Sequence, residues 1–459
     1  MLLVARLRAL YNPMAEPIET PPSEESSITV SAPRISSAHP IGKAIDTLTH
    51  RTLDIREAVR NFIPLATKVQ KKRLERVAAE VTGAIADLPK TSTLEGVAAL
   101  KTIQNALFKI ERLKSSELPQ ILETSLFLGL FSSFDAFIGD LLRAVFNLRP
   151  ELFQSLNRTL EFSEILSADS IESLKLRILE DEIETLRRKS YSEQFASLTN
   201  RFSVKLTSFE RWPDFVEASQ RRNLLTHCDG LVSEQYVLAC KAAGVKESAL
   251  PTVGSKIMLG RKYFISTCEM VAEVAVKSGQ TLWRKTLPDQ SEAADEHIRM
   301  VLYKALQARC WNRARIIGEF ASSLRNMSDQ AQKIIVVNYS QALKRSGRRT
   351  EGIALANKVD WTASTNDFKL AHAVLTEDFG AAALLMHRIG KEGDLVKEHS
   401  YHTWPLFLEF RESSEFLTAY ETIYGYPYAA KLKEDAARAS KQTADVSELQ
   451  GVKVHTSVN

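Results

Sequence analysis

An all-α fold is predicted for this 459-residue chain by three observations: apolar residues recur at helical spacing along most of it, no run alternates with period two, and helix start and stop residues punctuate the runs. A hydrophobic fraction of 44% with 25% charged residues suits a globular protein with sizeable cores, and the length allows two or three domains. The formal net charge of +4 is compatible with a nucleic-acid partner but does not demand one.

Residues 1–40 read as a disordered leader, because PIETPPSEESS and SAPRISSAHP hold too little apolar surface to offset chain entropy. The opening MLLVARLRALYNPM is interrupted by Arg6 and Arg8 and lacks a cleavage pattern, so no signal peptide is expected. Residues 41–114 form an N-terminal helical segment. Ile45, Leu48, Ile55, Val59 and Phe62 follow helical spacing, Pro64 marks a break or kink, and a second helix runs from about Leu94 to Leu113.

A bundle is expected over residues 115–290. Pro119 opens its first helix, Gln120 to Phe146, which is the most apolar in the chain. Leu126, Leu130, Phe134, Phe137, Leu141 and Val145 make one stripe, widened by Phe127, Phe131, Ile138 and Leu142. Such a helix belongs inside a bundle or at a subunit interface. Asp135 and Asp140 interrupt it, and no stretch is expected to span a membrane. Residues 169–189 make an amphipathic charged helix capped by Asp169 or Ser170. Trp212-Pro213-Asp214 starts another, which ends at Asp229-Gly230, and Arg261 to Arg284 form one long helix.

Residues 291–430 are helical with a different rhythm. NYSQALKRSGRRTEGIALANKVDW resembles a tetratricopeptide-type helix pair, with Ser340 and Ala342 letting helices approach and Gly347 ending the first. FKLAHAVLTEDFGAAALLMHRIG resembles a looser second unit, and the aromatic-rich YHTWPLFLEFRESSEFLTAYETIYGY resembles a cap. The resemblance implies a TPR-like surface for a protein partner. Residues 431–459 read as a polar tail, disordered beyond about Ser440.

Cys228, Cys240, Cys268 and Cys310 are widely spaced and form no metal-ligand pattern, so neither a metal site nor a disulfide framework is expected, and no cofactor is implied. A reducing, cytoplasmic setting is the default for such a chain.

The segment RRNLLTHCDGLVSEQYV places Arg222, Asn223 and His227 on one helix. Asn223 and His227 are four apart and share a face, whereas Arg222 lies about 140° around the axis from His227 and must bend back to converge. Asn223 is thereby placed to orient the imidazole. Histidine serves as general base or acid near neutrality, and arginine binds phosphate oxygens in a fork. Arginine, a polar residue, three more and histidine, preceded by SSFDAFIGDLL and followed by a Gly turn, resembles the HEPN superfamily over about residues 115–290. That resemblance implies metal-independent RNA cleavage that leaves a 2′,3′-cyclic phosphate. It implies catalytic Arg222, Asn223 and His227, supported by Asp135 and Arg221, in a composite site built by a homodimer. It also implies an RNA substrate, as in a toxin or anti-phage effector.

A second reading stands beside it. Arg222 and His227 also suit a structural polar cluster in a non-catalytic dimeric scaffold or partner-binding module, and Asp135 suits a surface or interface carboxylate. Cys228 reads as a packing residue, and the basic runs KVQKKRLER and LKRSGRR as solvated helix faces or RNA contacts.

Overall fold

The computed structural model describes residues 39–86, 88, 94–156 and 159–450, which hold eighteen α-helices and no strand. The leader expected over 1–40 lies outside the described residues except at its end. There His39 stacks on Trp283 with ring centroids 3.8 Å apart, and Pro40 begins the first helix.

That helix, α1 (Pro40–Ala86), runs 47 residues without a break at Pro64. The proline removes one hydrogen bond, and the exposed Arg60 carbonyl turn that loses it faces solvent, which serves it instead. The first half of α1 is core: Ile41, Ile45, Leu48 and Val59 are buried. α2 (Leu94–Lys114) packs back on the second half, and α3 (Leu118–Leu148) returns along the first. Proline in its first turn gives α3 its start.

The apolar breadth of α3 is consumed within the chain. Phe127, Phe131, Phe134, Phe137, Ile138, Leu142 and Phe146 all lie in the core, and Leu118 and Ile121 of its first turn remain exposed. It is therefore a central core helix. By length and composition the stretch Gly96–Leu148 holds a window apolar enough to cross a membrane, a test that the core helix of a soluble protein also passes.

Around α3 the chain lays the short α4 (Phe162–Leu166), α5 (Ile171–Arg187), α6 (Tyr191–Phe202), α7 (Trp212–His227), α8 (Glu234–Ala242) and α9 (Arg261–Thr286). Ser170 caps α5, accepting from Ser173 N at 3.0 Å. On α9, a Cβ at Gly279 would come 2.7 Å from Ile45 Cδ1, so glycine is what lets α1 and α9 close.

α10 (Ser291–Gln307), α11 (Trp311–Ser323) and α12 (Asp329–Arg345) continue the same core, whose buried residues run from Ile41 to Ala342 without interruption at 115 or 291. His297 on α10 hydrogen-bonds Gln280 on α9 at 2.9 Å and lies 3.2 Å from the Gly42 carbonyl of α1. Burial alone would raise the Asp46 carboxyl, but His297 and Lys304 outweigh it and hold the pKa at about 2.

A second core, Val337 to Tyr428, is built from α12, α13 (Arg349–Ala356), α14 (Asn366–Thr376), α15 (Phe379–Ile389), α16 (Glu398–Thr403) and α17 (Ser414–Tyr424). α12 and α13 are joined at Gly347, with φ of +88°, and Ser340 and Ala342 are fully buried between helices. The polar segment after Lys431 is not irregular up to Gln450: α18 spans Tyr428–Gln450. No proline or glycine falls within it, and Glu434 pairs with both Lys431 and Arg438 along its surface.

Candidate active site

α7 owes its start to Trp212-Pro213 and its stop to a pair of left-handed residues, Asp229 (φ +47°) and Gly230 (φ +76°). Cys228 N and Gly230 N both donate to the Leu224 carbonyl, so the chain turns sharply after His227. This leaves His227 exposed in the last turn, its imidazole without a hydrogen-bond partner among the described residues.

Arg222, Asn223 and His227 line one cleft of about 390 Å³, together with Asp135 of α3. Arg222 Nη1 donates to Asn223 Oδ1 at 3.1 Å, and its Nη2 lies 3.6 Å from Asp135 Oδ2. Asn223 thus orients the arginine rather than the imidazole, a difference from the expectation based on helical spacing. Asp135 Oδ1 accepts a 2.6 Å hydrogen bond from the Tyr191 hydroxyl at the start of α6. Burial raises the Asp135 carboxyl above its ordinary range, with Tyr191, Arg222 and Arg187 opposing the rise.

Arg221 takes a different place. It lines no part of the cleft and instead sits in a buried cluster on the other side of α7. Its Nε donates to Glu217 at 2.5 Å, its Nη1 to the Met258 carbonyl at 3.0 Å, and its guanidinium stacks 4.1 Å from the Tyr263 ring centroid. Although burial opposes the charge, Tyr263 and Glu217 hold its pKa above the usual value. Glu217 also accepts from the Tyr236 and Tyr263 hydroxyls, at 2.5 and 2.6 Å. Arg221 therefore ties α7 to α8 and α9, because position 221 turns inward where 222 turns out.

The cleft also holds Arg187, Arg188 and Lys189, for which sequence reasoning assigned no role beyond a charged helix. Arg187 Nε and Nη2 donate to the Asp135 carbonyl at 3.3 Å, while Arg188 and Lys189 are exposed. Ser190 and Glu193 form a reciprocal capping box that starts α6 immediately after them. Three consecutive cations before such a box form the signal that could have marked this corner. Gln220, Ser233 and Gln235 complete the polar lining.

Chemically, the cleft combines an accessible imidazole, a guanidinium held by two acceptors, further cations at the α5–α6 corner and a partly buried carboxyl. Among the described residues, no three His, Cys, Asp or Glu side chains cluster as metal ligands. Compared with protein-family models, with curated protein sequences and with solved structures, the chain gives no match in any of the three.

Proposed function

We propose that this cleft is the catalytic centre of a HEPN-type, metal-independent endoribonuclease. The observation that carries the reading is the convergence of Arg222, Asn223, His227 and Asp135 with Arg187, Arg188 and Lys189 on one cleft. In the reaction the ribose 2′-oxygen bonds to phosphorus as the bond to the 5′-oxygen breaks. The 2′-hydroxyl proton passes to a base, and the departing 5′-oxygen takes a proton from an acid. Arg222 and the neighbouring cations counter the charge that builds on the phosphoryl oxygens.

One cleft holds one imidazole among its lining residues, whereas the reaction uses a base and an acid. A homodimer that brings two His227 side chains to a shared site supplies both. Leu231 and Met258 support a docking face beside the end of α7, since both are exposed apolar residues there. The TPR-like C-terminal helices belong to the same proposal, as the surface that receives a protein partner.

The test is digestion of single-stranded RNA by the purified chain in excess EDTA, with analysis of the product ends. Cleavage is expected to persist and to leave 2′,3′-cyclic phosphates. Products with 5′-phosphates, or a strict requirement for a divalent ion, would overturn the mechanism. Absence of cleavage together with intact dimerisation would favour the scaffold reading, which the Arg222–Asn223 and Arg222–Asp135 contacts also suit.

A further inference from the structure

Gln70 on α1 donates to the Leu113 and Ser116 carbonyls at 3.1 and 2.7 Å, fixing the turn between α2 and α3 at that level. Beyond it, α1 continues to Ala86 with α2 packed along it, and Val77 and Ala106 are buried between the two. The pair forms a two-helix arm extending about 24 Å past Gln70, at about 1.5 Å per residue.

A hairpin of two helices covers one face of each and leaves the other to its surroundings. On α2 that outer face is mainly apolar: Val97, Leu100, Leu107 and Phe108 are 61%, 57%, 53% and 63% exposed, with the uncharged Gln104 among them. At about 100° per residue the four fall within an arc of about 100°, on the side away from Ala106. Lys101 and Arg112 border one edge of this stripe, Lys114 borders the other, and Glu111 closes it at the base of the arm.

The arm is also strongly basic. Residues 68–86 and 94–114 hold nine Lys and Arg against four Glu, a net of five positive charges. Lys71 has Glu75 at 3.8 Å, and the other eight cations have no carboxylate within ion-pair distance among the described residues.

We infer that this arm docks on an anionic lipid bilayer, with the Val97–Phe108 stripe entering the interface and the flanking cations meeting the headgroups. A second copy would set one positively charged arm against another. RNA would engage the cations and leave the stripe in water. An anionic bilayer satisfies both features at once, and the inference is independent of the nuclease reading.

The experiment sediments the full chain with phosphatidylcholine vesicles, with and without phosphatidylglycerol. Binding is expected with the anionic vesicles alone and is expected to weaken as salt is raised. The variant carrying Leu107→Ser and Phe108→Ser changes two exposed side chains and should keep its circular dichroism. It is expected to bind roughly tenfold or more weakly, from the apolar area no longer transferred. No sedimentation with anionic vesicles would overturn the inference, as would undiminished binding by the double variant. Light scattering that shows a wild-type dimer dissociated by the same two changes would assign the stripe to a second copy instead.

Discussion

Arg222 Nη2 lies 3.6 Å from Asp135 Oδ2, which makes the carboxylate both the holder of the guanidinium and a rival to any phosphate. Tyr191 fixes the other carboxylate oxygen, so Asp135 cannot swing away without breaking a 2.6 Å hydrogen bond.

Asp135→Asn keeps an acceptor for Tyr191 and removes the negative charge. Burial raises the native pKa of Asp135, so its favourable contribution to stability is full below the unfolded-state value and is lost as pH rises through the folded one. Melting temperature of the variant relative to wild type is therefore expected to rise between acidic and neutral pH. Parallel thermal melts across that range check it. A variant that falls further behind as pH rises would show that the ionised carboxylate stabilises the cleft.

Arg222→Ala and His227→Ala are each expected to lower RNA cleavage by about 10²–10³ or more, the usual cost of removing a group that acts on the transition state. Arg222 is part-exposed and His227 exposed, so melting temperature should hardly change in either. Single-turnover cleavage assays beside thermal melts make the comparison. Activity retained in both variants would move the site elsewhere.

Mixing those two variants tests whether the site is shared. After dissociation and reassociation, a heterodimer keeps one intact Arg222 and one intact His227, and it should recover a measurable part of the lost rate. No recovery in confirmed heterodimers would place both residues in one protomer's cleft. A monomer cleaving at full rate would remove the dimer from the mechanism.

Cutting the chain at residue 291 is expected to fail, because Ala294, Ile298, Leu302 and Leu306 of α10 are buried in the core shared with α1 and α9. A 291–430 fragment should be molten or insoluble, as judged by near-ultraviolet circular dichroism. A well-folded fragment would show that α10 and α11 stand without their partners.

Acid should loosen the same joint. Asp46 is held at about 2 against an ordinary 3.8, so the stability it contributes is present above 3.8 and is lost as pH falls toward 2. The loss amounts to about 2 kcal/mol. Asp46→Asn is expected to be destabilised at neutral pH by a similar amount, with the difference from wild type closing as pH approaches 2. Denaturant unfolding at several pH values measures it.

How far the sequence discloses this molecule differs from element to element. Periodicity and caps located α3, α5, α7 and α9 within a few residues, because those signals are local. The spacing of Arg222, Asn223 and His227 likewise brought three residues to one cleft. The place of Arg221 outside the cleft lining was not legible, since its inward turn is decided by Glu217 and by Tyr263, forty-two positions away and on another helix. The breadth of α3 left a bundle interior and a subunit interface both open, because sequence shows that a face is apolar without showing which helix covers it. Here α1 and α9 do, through contacts such as Ile45 with Gly279. Arg187 to Lys189 passed unnoticed because their corner gains meaning only when α5 and α6 fold against Asp135. The helix at 428–450 escaped notice because polarity was read as disorder, although the stretch has no residue that breaks a helix.

The joint between α1 and α10 has a consequence in time. Ile41, Ile45 and Leu48 are made early, but the side chains that bury them on α9 and α10 are made some 220 to 260 residues later. At about 5–20 residues per second, α1 gains α3 early but waits on the order of ten to fifty seconds during synthesis before the rest of its apolar face is covered. Toward the end of that interval, once His227 has been translated, the motif helix exists while the core beneath it is still open. The nascent chain should therefore carry Arg222 and His227 without holding them in place. A cell making such a protein would meet the cleft on a closed core only when α9 has docked against α7, some thirty to sixty residues after His227 is made.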